Sequence, residues 1–411
     1  MIRNTSRRTF VKSAAVMSAG LAAGLPASKS VFAQDATPIT GAGVGLPENA
    51  VVVASGLVNP RFIAVADDGT LYITENGIGG DEVIGQPEVG TAELEEGTPA
   101  ALAVDATPVE APPRPPSTRG FTGQITQVTP DGTQSVVASG LASYSDGAGP
   151  NGITIANGEV YFDIGGGIAI EAGIDPLAGE NSVHRLDPAA GTTELIAYLG
   201  QYEIDNNPDG TDVNPNLYGM TTAAGGQLLV ADAGGNTIYT VDPATGTFQL
   251  LAVVPPLGQL PGAEAAPAEQ AERQPVPTDV AVVDGSTLVG LLSEGWPEGA
   301  PSVLQLNPDG TFSAAGGALF FNVALGIGPD AQLYASELFG GFDESGMPAP
   351  GRVVRVYADG TVEPVVENVM TPHGINFDVA GNMYVVINSL MSGPGMPAGQ
   401  VIRVEGAAAP A

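Results

Sequence analysis

One strand-like run occurs twice, first as Val51-Val52-Val53-Ala54-Ser55-Gly56-Leu57 and again as Val136-Val137-Ala138-Ser139-Gly140-Leu141. Short β-branched runs bounded by glycine and polar turn residues are typical of β-strands. The second copy ends a unit of four such runs, whereas the first copy precedes that unit. The pair therefore indicates that the chain repeats one four-stranded motif.

Six units follow the same plan, with apolar runs separated by tight turns such as Asp67-Asp68-Gly69. The first runs are at 61–65, 152–155, 218–221, 279–282, 324–327 and 374–377, the second at 71–73, 160–162, 228–230, 288–290, 333–335 and 383–385, and the third at 125–128, 183–186, 238–241, 303–306, 353–356 and 401–404. Repeated four-strand units predict an all-β fold, a six-bladed β-propeller. The sixth unit ends after Val404 without a fourth run, so we expect the mature N-terminal strand to complete blade six and close the ring.

The first 33 residues have the parts of an export signal. Ser6-Arg7-Arg8-Thr9-Phe10-Val11-Lys12 resembles the twin-arginine (Tat) consensus, and an apolar stretch follows it. A surface helix or membrane anchor is the alternative, although the stretch is short for a bilayer span. We expect export through the Tat translocon to the periplasm, cell wall or extracellular space, with no transmembrane segment after cleavage. The predicted boundaries are a signal at 1–33, a linker at 34–49, the propeller at 50–406 and a tail at 407–411.

The chain is strongly acidic and has no cysteine. Its 411 residues include 45 Asp and Glu against 13 Lys and Arg, a formal net charge of −32. Such a surface repels phosphate backbones, which argues against nucleic acid as a partner. A sequence without cysteine excludes disulfides and thiol nucleophiles. Both lysines, Lys12 and Lys29, lie in the predicted signal, so lysine chemistry is excluded from the mature chain.

The long connections fall at one end of the predicted blades. They either follow the second strand of a blade or lead into the first strand of the next blade. Every insertion therefore projects from the same end of the central channel, called the mouth below, and repeat folds usually bind their ligands on such a face. The largest are the acidic, Pro-rich segment 78–122 and the Ala/Pro/Glu loop 257–275. Segment 78–122 is either a solvated insertion or an acidic lid. We therefore expect a small molecule or an extracytoplasmic protein to bind at this mouth.

Oxygen-bearing side chains recur at the same mouth, at the ends of second strands and the starts of first strands. Because hard cations prefer oxygen ligands, these residues are candidates for a Ca²⁺ site near the axis. The alternative is that they cap turns by accepting backbone N–H groups. The metal-ligand candidates are Asn151, Asp279, Glu75, Asp163, Asp232, Glu294 and Glu337.

A ligand-binding set is predicted at the mouth, with one candidate catalytic residue in it. His373, in Thr371-Pro372-His373-Gly374, is placed where an imidazole can reach the channel and act as a general base; the alternative is a structural histidine. Trp296, the only tryptophan, is placed to stack on a ligand or to cover the rim. The ligand-binding candidates are Asn59, Asn151, Asp279, Asn322, His373 and Trp296.

The repeat resembles that of the ScyD/ScyE family of secreted, NHL-like propellers. The resemblance spans nearly the whole mature chain and rests on motifs such as Val53-Ala54-Ser55-Gly56-Leu57-x-Asn59-Pro60-Arg61 and Val230-Ala231-Asp232-Ala233-Gly234-Gly235-Asn236. It implies a secreted propeller and no particular reaction.

A wider resemblance is to the SMP-30/gluconolactonase and streptogramin-lyase-like propellers. The lactonases imply a divalent metal held by Glu, Asn and Asp. Asn151 matches the Asn position, Asp279 is displaced by one residue from the Asp position, and Asn59 stands in place of the Glu. Pro372-His373-Gly374 resembles the lyase-like pattern.

The sequence favours a binding module, because it holds no nucleophile elbow, phosphate loop or His-Glu-x-x-His motif. The alternative is a metal-dependent lactonase or hydrolase that uses Asn151, Asp279 and a rim carboxylate, with His373 as base. A structural protein of the cell envelope is the second alternative.

Overall fold

The structure is a computed structural model and describes residues 46–84, 116–261, 271–292, 301–341, 348–390 and 397–408. These residues form six antiparallel sheets arranged as the blades of a propeller. The prediction of an all-β, six-bladed propeller is therefore confirmed.

Each blade contains four strands, which follow one another from the axis outward. Blade one has β2 (Pro60–Val65), β3 (Leu71–Glu75), β5 (Thr118–Val128) and β6 (Gln134–Tyr144), with the short β4 (Glu82–Val83) paired to β5. Blade two has β7 (Pro150–Ala156), β8 (Glu159–Ile164), β9 (Ser182–Asp187) and β10 (Thr192–Tyr198). Blade three has β11 (Leu217–Thr222), β12 (Leu228–Asp232), β13 (Thr237–Val241) and β14 (Phe248–Val253).

The second half of the chain repeats this order. Blade four has β15 (Pro277–Val283), β16 (Ser286–Leu291), β17 (Val303–Leu306) and β18 (Phe312–Ala314). Blade five has β19 (Asn322–Ile327), β20 (Leu333–Glu337), β21 (Gly351–Val356) and β22 (Val362–Val369). Blade six has β23 (Ile375–Phe377), β24 (Met383–Ile387), β25 (Gly399–Val404) and β1 (Ala50–Leu57).

Helical structure is confined to connections. Two α-helices, α1 (Ile168–Ala172) and α2 (Gly200–Asn206), and two 3₁₀ turns, Ala224–Gly226 and Leu257–Gln259, lie between strands. Across the described ranges, no helix is long and apolar enough to cross a membrane.

The N-terminal strand closes the ring as expected. β1 pairs antiparallel with β25, from Ala50 opposite Val404 to Leu57 opposite Gly399. Blade six thus joins the two ends of the described chain and completes the ring of blades.

The core lies between blades, because each sheet packs against two neighbours. The second strands β3, β12, β20 and β24 are buried along their whole length. The outer strand β22 is mostly exposed or half-buried, with two buried residues. This gradient explains why second strands read as continuous apolar runs in the sequence.

The structure adds detail at two of the predicted boundaries. Both ends of the 78–122 segment belong to blade one, because β4 and the start of β5 pair with each other there. Residues 85–115 lie outside the described residues. At the other end of the chain, the predicted tail begins inside the core, since Ala408 is buried and its N–H donates to the Gly381 carbonyl at 3.0 Å.

Replacing Leu57 by alanine is expected to lower the free energy of unfolding by about 2–5 kcal/mol, because the side chain is almost fully buried in the closing strand. Val51 in the same strand is 44% exposed, so Val51→Ala is the matched control and should change stability little. Chemical denaturation of both variants measures this. Equal, small effects would show that β1 does not contribute to the cooperative core.

Candidate functional site

Three aromatic rings from different blades meet at the axis. Phe62 starts blade one, Tyr218 starts blade three and His373 leads into blade six. The Phe62 ring centroid lies 4.9 Å from that of His373 and 5.9 Å from that of Tyr218. The Tyr218 hydroxyl lies 2.8 Å from His373 Nε2. Blade three is not a neighbour of blade one or blade six, so Tyr218 can reach the other two rings only across the axis, and the three rings therefore lie at the centre of the propeller.

Arg61, next to Phe62, carries a buried positive charge. Its guanidinium donates from Nη1 to the Ser389 carbonyl and from Nη2 to the Gly147 carbonyl at 3.4 Å. No carboxylate of the described residues forms an ion pair with it. Burial lowers the pKa of Arg61, although the Tyr218 phenol nearby acts in the opposite direction. A buried charge is costly unless a nearby group compensates it. Among the described residues, the Arg61 guanidinium has two carbonyl acceptors and no carboxylate to balance its charge.

Four buried polar atoms at the junction of blades one and six have no hydrogen-bond partner among the described residues: Arg61 Nε, Thr371 Oγ1, His373 Nδ1 and Ser389 Oγ. The residues are neighbours, because the Ser389 N–H donates to the Thr371 carbonyl at 3.3 Å, Arg61 reaches the Ser389 carbonyl, and the Gly374 N–H donates to the Arg61 carbonyl at 2.9 Å. Buried polar groups in proteins are nearly always paired. A group of four unpaired atoms at one place points to a bound polar molecule.

Three of the four atoms, Arg61 Nε, Thr371 Oγ1 and Ser389 Oγ, can act as donors. Burial is the main cause that lowers the pKa of His373 well below its usual value. The charge of Arg61 acts in the same direction, whereas the Arg61 backbone beside the ring acts in the opposite direction. The ring is therefore neutral at pH 7. The Tyr218 hydroxyl and His373 Nε2 form a hydrogen bond of 2.8 Å, in which the donor depends on the tautomer of the ring. Two hydroxyls, the Nε–H of arginine and the Nδ1 of histidine thus lie in neighbouring residues at this junction.

Buried acids on the other side of the axis do not cancel this charge. Burial raises the pKa of Asp279 to about 8, against hydrogen bonds from the N–H groups of Leu325 and Val280, each at 2.8 Å. Burial likewise raises the pKa of Asp163 well above its usual value, and the carboxylates of Asp279 and Asp232 raise it further. Asp279 is therefore mostly uncharged at pH 7.

The other carboxylates of the predicted metal set cap the backbone. Glu75 accepts from the Val58 N–H at 2.6 Å, Asp232 from the Asn216 N–H at 2.8 Å, and Glu337 from the Phe320 N–H at 2.6 Å. Within the described ranges, no three His, Asp or Glu side chains form a group that could hold a metal ion. The axial Ca²⁺ site stays a prediction, and Glu294 lies outside the described residues.

The predicted amide ligands also bond to the protein. Asn151 donates to the Leu217 carbonyl at 2.8 Å and accepts from Asn76 at 3.0 Å. Asn59 donates to the Gly77 carbonyl at 2.8 Å, and Asn322 to the Ser302 carbonyl at 3.2 Å. Of the predicted ligand-binding set, His373 is the residue that the structure places in the unpaired cluster. Trp296 lies outside the described residues.

Sequence reasoning missed Arg61, Tyr218, Thr371 and Ser389 as site residues. A signal was present for Arg61, because Asn59-Pro60-Arg61 and Thr371-Pro372-His373 are the same repeat position in neighbouring blades. The backbone at this position is left-handed in several blades, since Asn59, Val276 and Phe321 have φ of 50°, 50° and 51°. Thr371, a β-branched residue, has φ 40°, a left-handed conformation that costs energy and persists mainly where the surroundings require it.

No protein-family model matches the chain, and no curated protein matches it in sequence. Among solved structures, the chain is similar to virginiamycin B lyase from Staphylococcus aureus, at 13% identity and a TM-score of 0.45 over 86% of this chain and 97% of that one. It is also similar to a gluconolactonase from Xanthomonas campestris, at 12% identity and a TM-score of 0.48 over 86% of this chain and 89% of that one. At such low sequence identity, the similarity does not indicate what individual side chains of this chain do.

Proposed function

We propose that the protein is an exported binding module that holds a small carboxylate-bearing molecule at the axial mouth. The observation that carries this proposal is the buried Arg61 guanidinium, whose described partners are backbone carbonyls and whose Nε is unpaired beside the two unpaired hydroxyls of Thr371 and Ser389. Charge-assisted hydrogen bonds from arginine match the geometry of a carboxylate. Export through the twin-arginine pathway is part of the proposal and rests on the signal at 1–33.

A second candidate function is hydrolysis or ring opening of a lactone or ester. The observation that favours it is the Tyr218–His373 hydrogen bond of 2.8 Å, which orients a neutral imidazole at the axis. A neutral histidine can serve as a general base. We rank it second because the predicted metal ligands Asn151 and Asp279 are engaged by the protein itself.

A thermal-shift screen tests both candidates on the mature chain. Small mono- and dicarboxylates should raise the melting temperature, because a ligand that binds only the native state stabilises it. The corresponding primary amides, which have the same shape without the charge, should not. Turnover of lactone or ester probes would favour the second candidate. Stabilisation by the amides equal to that by the acids would contradict an anion site.

A further inference from the structure

Buried hydroxyls join neighbouring blades close to the axis. In blade one, Thr74 lies on β3 opposite the β-bulge that interrupts its register with β2. The Thr74 hydroxyl accepts from the Phe62 N–H at 3.0 Å and donates to the Asn151 carbonyl of blade two at 2.5 Å. In blade five, the Ser336 hydroxyl donates at 2.6 Å to the carbonyl of His373, which leads into blade six. Because a hydroxyl can accept and donate at once, one side chain connects two blades.

Blade two has an aspartate where blade one has Thr74. Asp163 lies on β8 opposite the equivalent bulge in β7. Its Oδ1 accepts from the Gly152 N–H at 3.1 Å, as the Thr74 hydroxyl accepts from the Phe62 N–H in blade one. One carboxyl oxygen of Asp163 thus makes the bond within its own blade, and Oδ2 is the atom left for the neighbouring blade.

The Oδ2 atom of Asp163 lies beside the first strand of blade three. A Cβ built on Gly152 would lie 2.4 Å from this oxygen. The same Cβ would lie 2.7 Å from the Met220 nitrogen and 3.0 Å from the Gly219 carbonyl carbon, the two ends of one peptide bond. Asp163 is fully buried, and among the described residues Oδ2 has no hydrogen-bond partner. A buried carboxylate oxygen without a donor is costly, whereas a neutral carboxyl group has an O–H that can donate.

The surroundings of Asp163 favour the neutral carboxyl group. Burial is the main cause that raises the pKa of Asp163 well above its usual value. The Gly152 N–H acts against this rise, and the charges of Asp279 and Asp232 add to it. In the described part of the chain, the groups that act on this pKa include no cation. Asp163 therefore has the surroundings of a hydrogen-bond donor.

We propose that the Asp163 carboxyl group donates from Oδ2 to the Tyr218 carbonyl and thereby positions Tyr218 at the axis. Tyr218 occupies the bulge position in blade three that Asn151 occupies in blade two, so its carbonyl is the acceptor equivalent to that of Asn151. The Tyr218 hydroxyl forms the 2.8 Å hydrogen bond with His373 Nε2. Asp163 is thus a positioning residue, which acts on the His373 ring through Tyr218.

Substitutions of matched shape test the donor. Asp163→Thr introduces the residue of blade one, whose hydroxyl can accept from Gly152 and donate to blade three, and Asp163→Val has the same shape without the hydroxyl. Asp163→Asn keeps an oxygen acceptor and supplies an N–H donor. We expect Asp163→Thr and Asp163→Asn to melt within a few degrees of wild type, and Asp163→Val to melt at a clearly lower temperature.

The His373 ring supplies a readout that a general loss of stability would not move. The sequence contains two histidines, so isotope-labelled histidine gives one set of ring signals for His373 in magnetic resonance spectra, beside one for His184. The His373 signals should match wild type in Asp163→Thr and Asp163→Asn and should shift in Asp163→Val. Thr278→Val is the control, because it removes a hydroxyl that donates to the Asn322 carbonyl of blade five at 3.0 Å. It should lower the melting temperature and leave the His373 signals unchanged.

Melting of Asp163→Thr and Asp163→Asn at temperatures as low as that of Asp163→Val would overturn the proposal and identify Asp163 as an ionised acceptor. Unchanged His373 signals in Asp163→Val would overturn the positioning role. If Asp163→Val does not fold, Asp163→Asn decides, because an amide that shifts the His373 signals contradicts a neutral donor. None of these measurements needs a ligand, so the proposed binding of carboxylates can fail separately.

Discussion

Replacing Arg61 by methionine is expected to abolish binding of small carboxylates without destabilising the free protein. The wild-type guanidinium is 2% exposed, and burying an ion costs several kcal/mol even after the protein relaxes. Its hydrogen bonds to the Ser389 and Gly147 carbonyls return about 1.5–3 kcal/mol each at best. Methionine fills a similar volume without the charge. The free energy of unfolding should therefore stay within about 1 kcal/mol of wild type or rise, as when buried ionic groups are replaced by apolar ones.

Binding of small carboxylates, by contrast, should become weaker in Arg61→Met. Losing the charged partner of a buried carboxylate costs at least about 2 kcal/mol, or roughly thirtyfold in Kd. Chemical denaturation and ligand titration of the same samples measure both quantities. Arg185→Met is the control, because Arg185 is a surface residue paired with Glu194, and it should change neither. A loss of more than about 3 kcal/mol of stability in Arg61→Met would instead assign Arg61 a structural role.

The ring closure was predictable from the sequence, but the composition of the site was not. The repeated run at 51–57 matched the missing fourth strand of blade six, and local patterning settled that pairing. The cluster of Arg61, Thr371 and Ser389 depends on contacts across more than 300 residues, such as the Arg61–Ser389 hydrogen bond. Strand periodicity predicts which residues face inward, but it does not predict which inward-facing polar atoms remain without a hydrogen-bond partner.

The carboxylates illustrate the same limit. Glu75, Asp232 and Glu337 share one repeat position, and the sequence predicted for them either a common metal site or turn caps. The structure gives each a capping bond, yet their other neighbours differ, with Thr126 beside Glu75, Arg352 beside Glu337 and Glu203 near Asp232. Glu203 is on a connection between blades and follows no repeat, so the sequence pattern carried no sign of its position.

The stability of the free protein is expected to fall as the pH rises from about 6.5 to about 8. In the unfolded chain, aspartate loses its proton near pH 4, whereas Asp279 in the folded chain keeps it up to about pH 8. The folded state binds the extra proton, so its stability decreases with rising pH in this window. Asp163, with its pKa also raised, acts in the same direction. The buried histidines act oppositely, because burial lowers their pKa, but only below the usual histidine pKa of about 6.5.

Asp279→Asn isolates this contribution. One bound proton changes the free energy of unfolding by about 1.4 kcal/mol per pH unit, so the variant should lose about 2 kcal/mol less stability than wild type across the window. The amide directs an N–H₂ toward one of the two backbone donors, Val280 or Leu325, so the variant should be less stable at low pH by about 1–3 kcal/mol. The informative quantity is therefore the slope, from denaturant unfolding at several pH values. Asp284→Asn, at an exposed turn of the same hairpin, should keep the wild-type slope. If the free energy of unfolding of Asp279→Asn falls with pH as steeply as that of wild type, Asp279 ionises normally.

The same titration should appear in ligand binding. Burial is the main cause that raises the pKa of the Tyr218 phenol. The charge of Arg61 lowers this pKa and that of Asp279 raises it, so both charged groups act on the phenol. While Asp279 is protonated, the positive charge of Arg61 is not opposed by it. Once Asp279 ionises above about pH 8, its negative charge competes with a bound carboxylate, and affinity should fall. Asp279→Asn should keep the affinity constant from pH 7 to 9, in a titration that also follows the Arg61→Met variant as a blank. An acidic chain would thus retain an anion site because burial keeps its nearest axial acids uncharged.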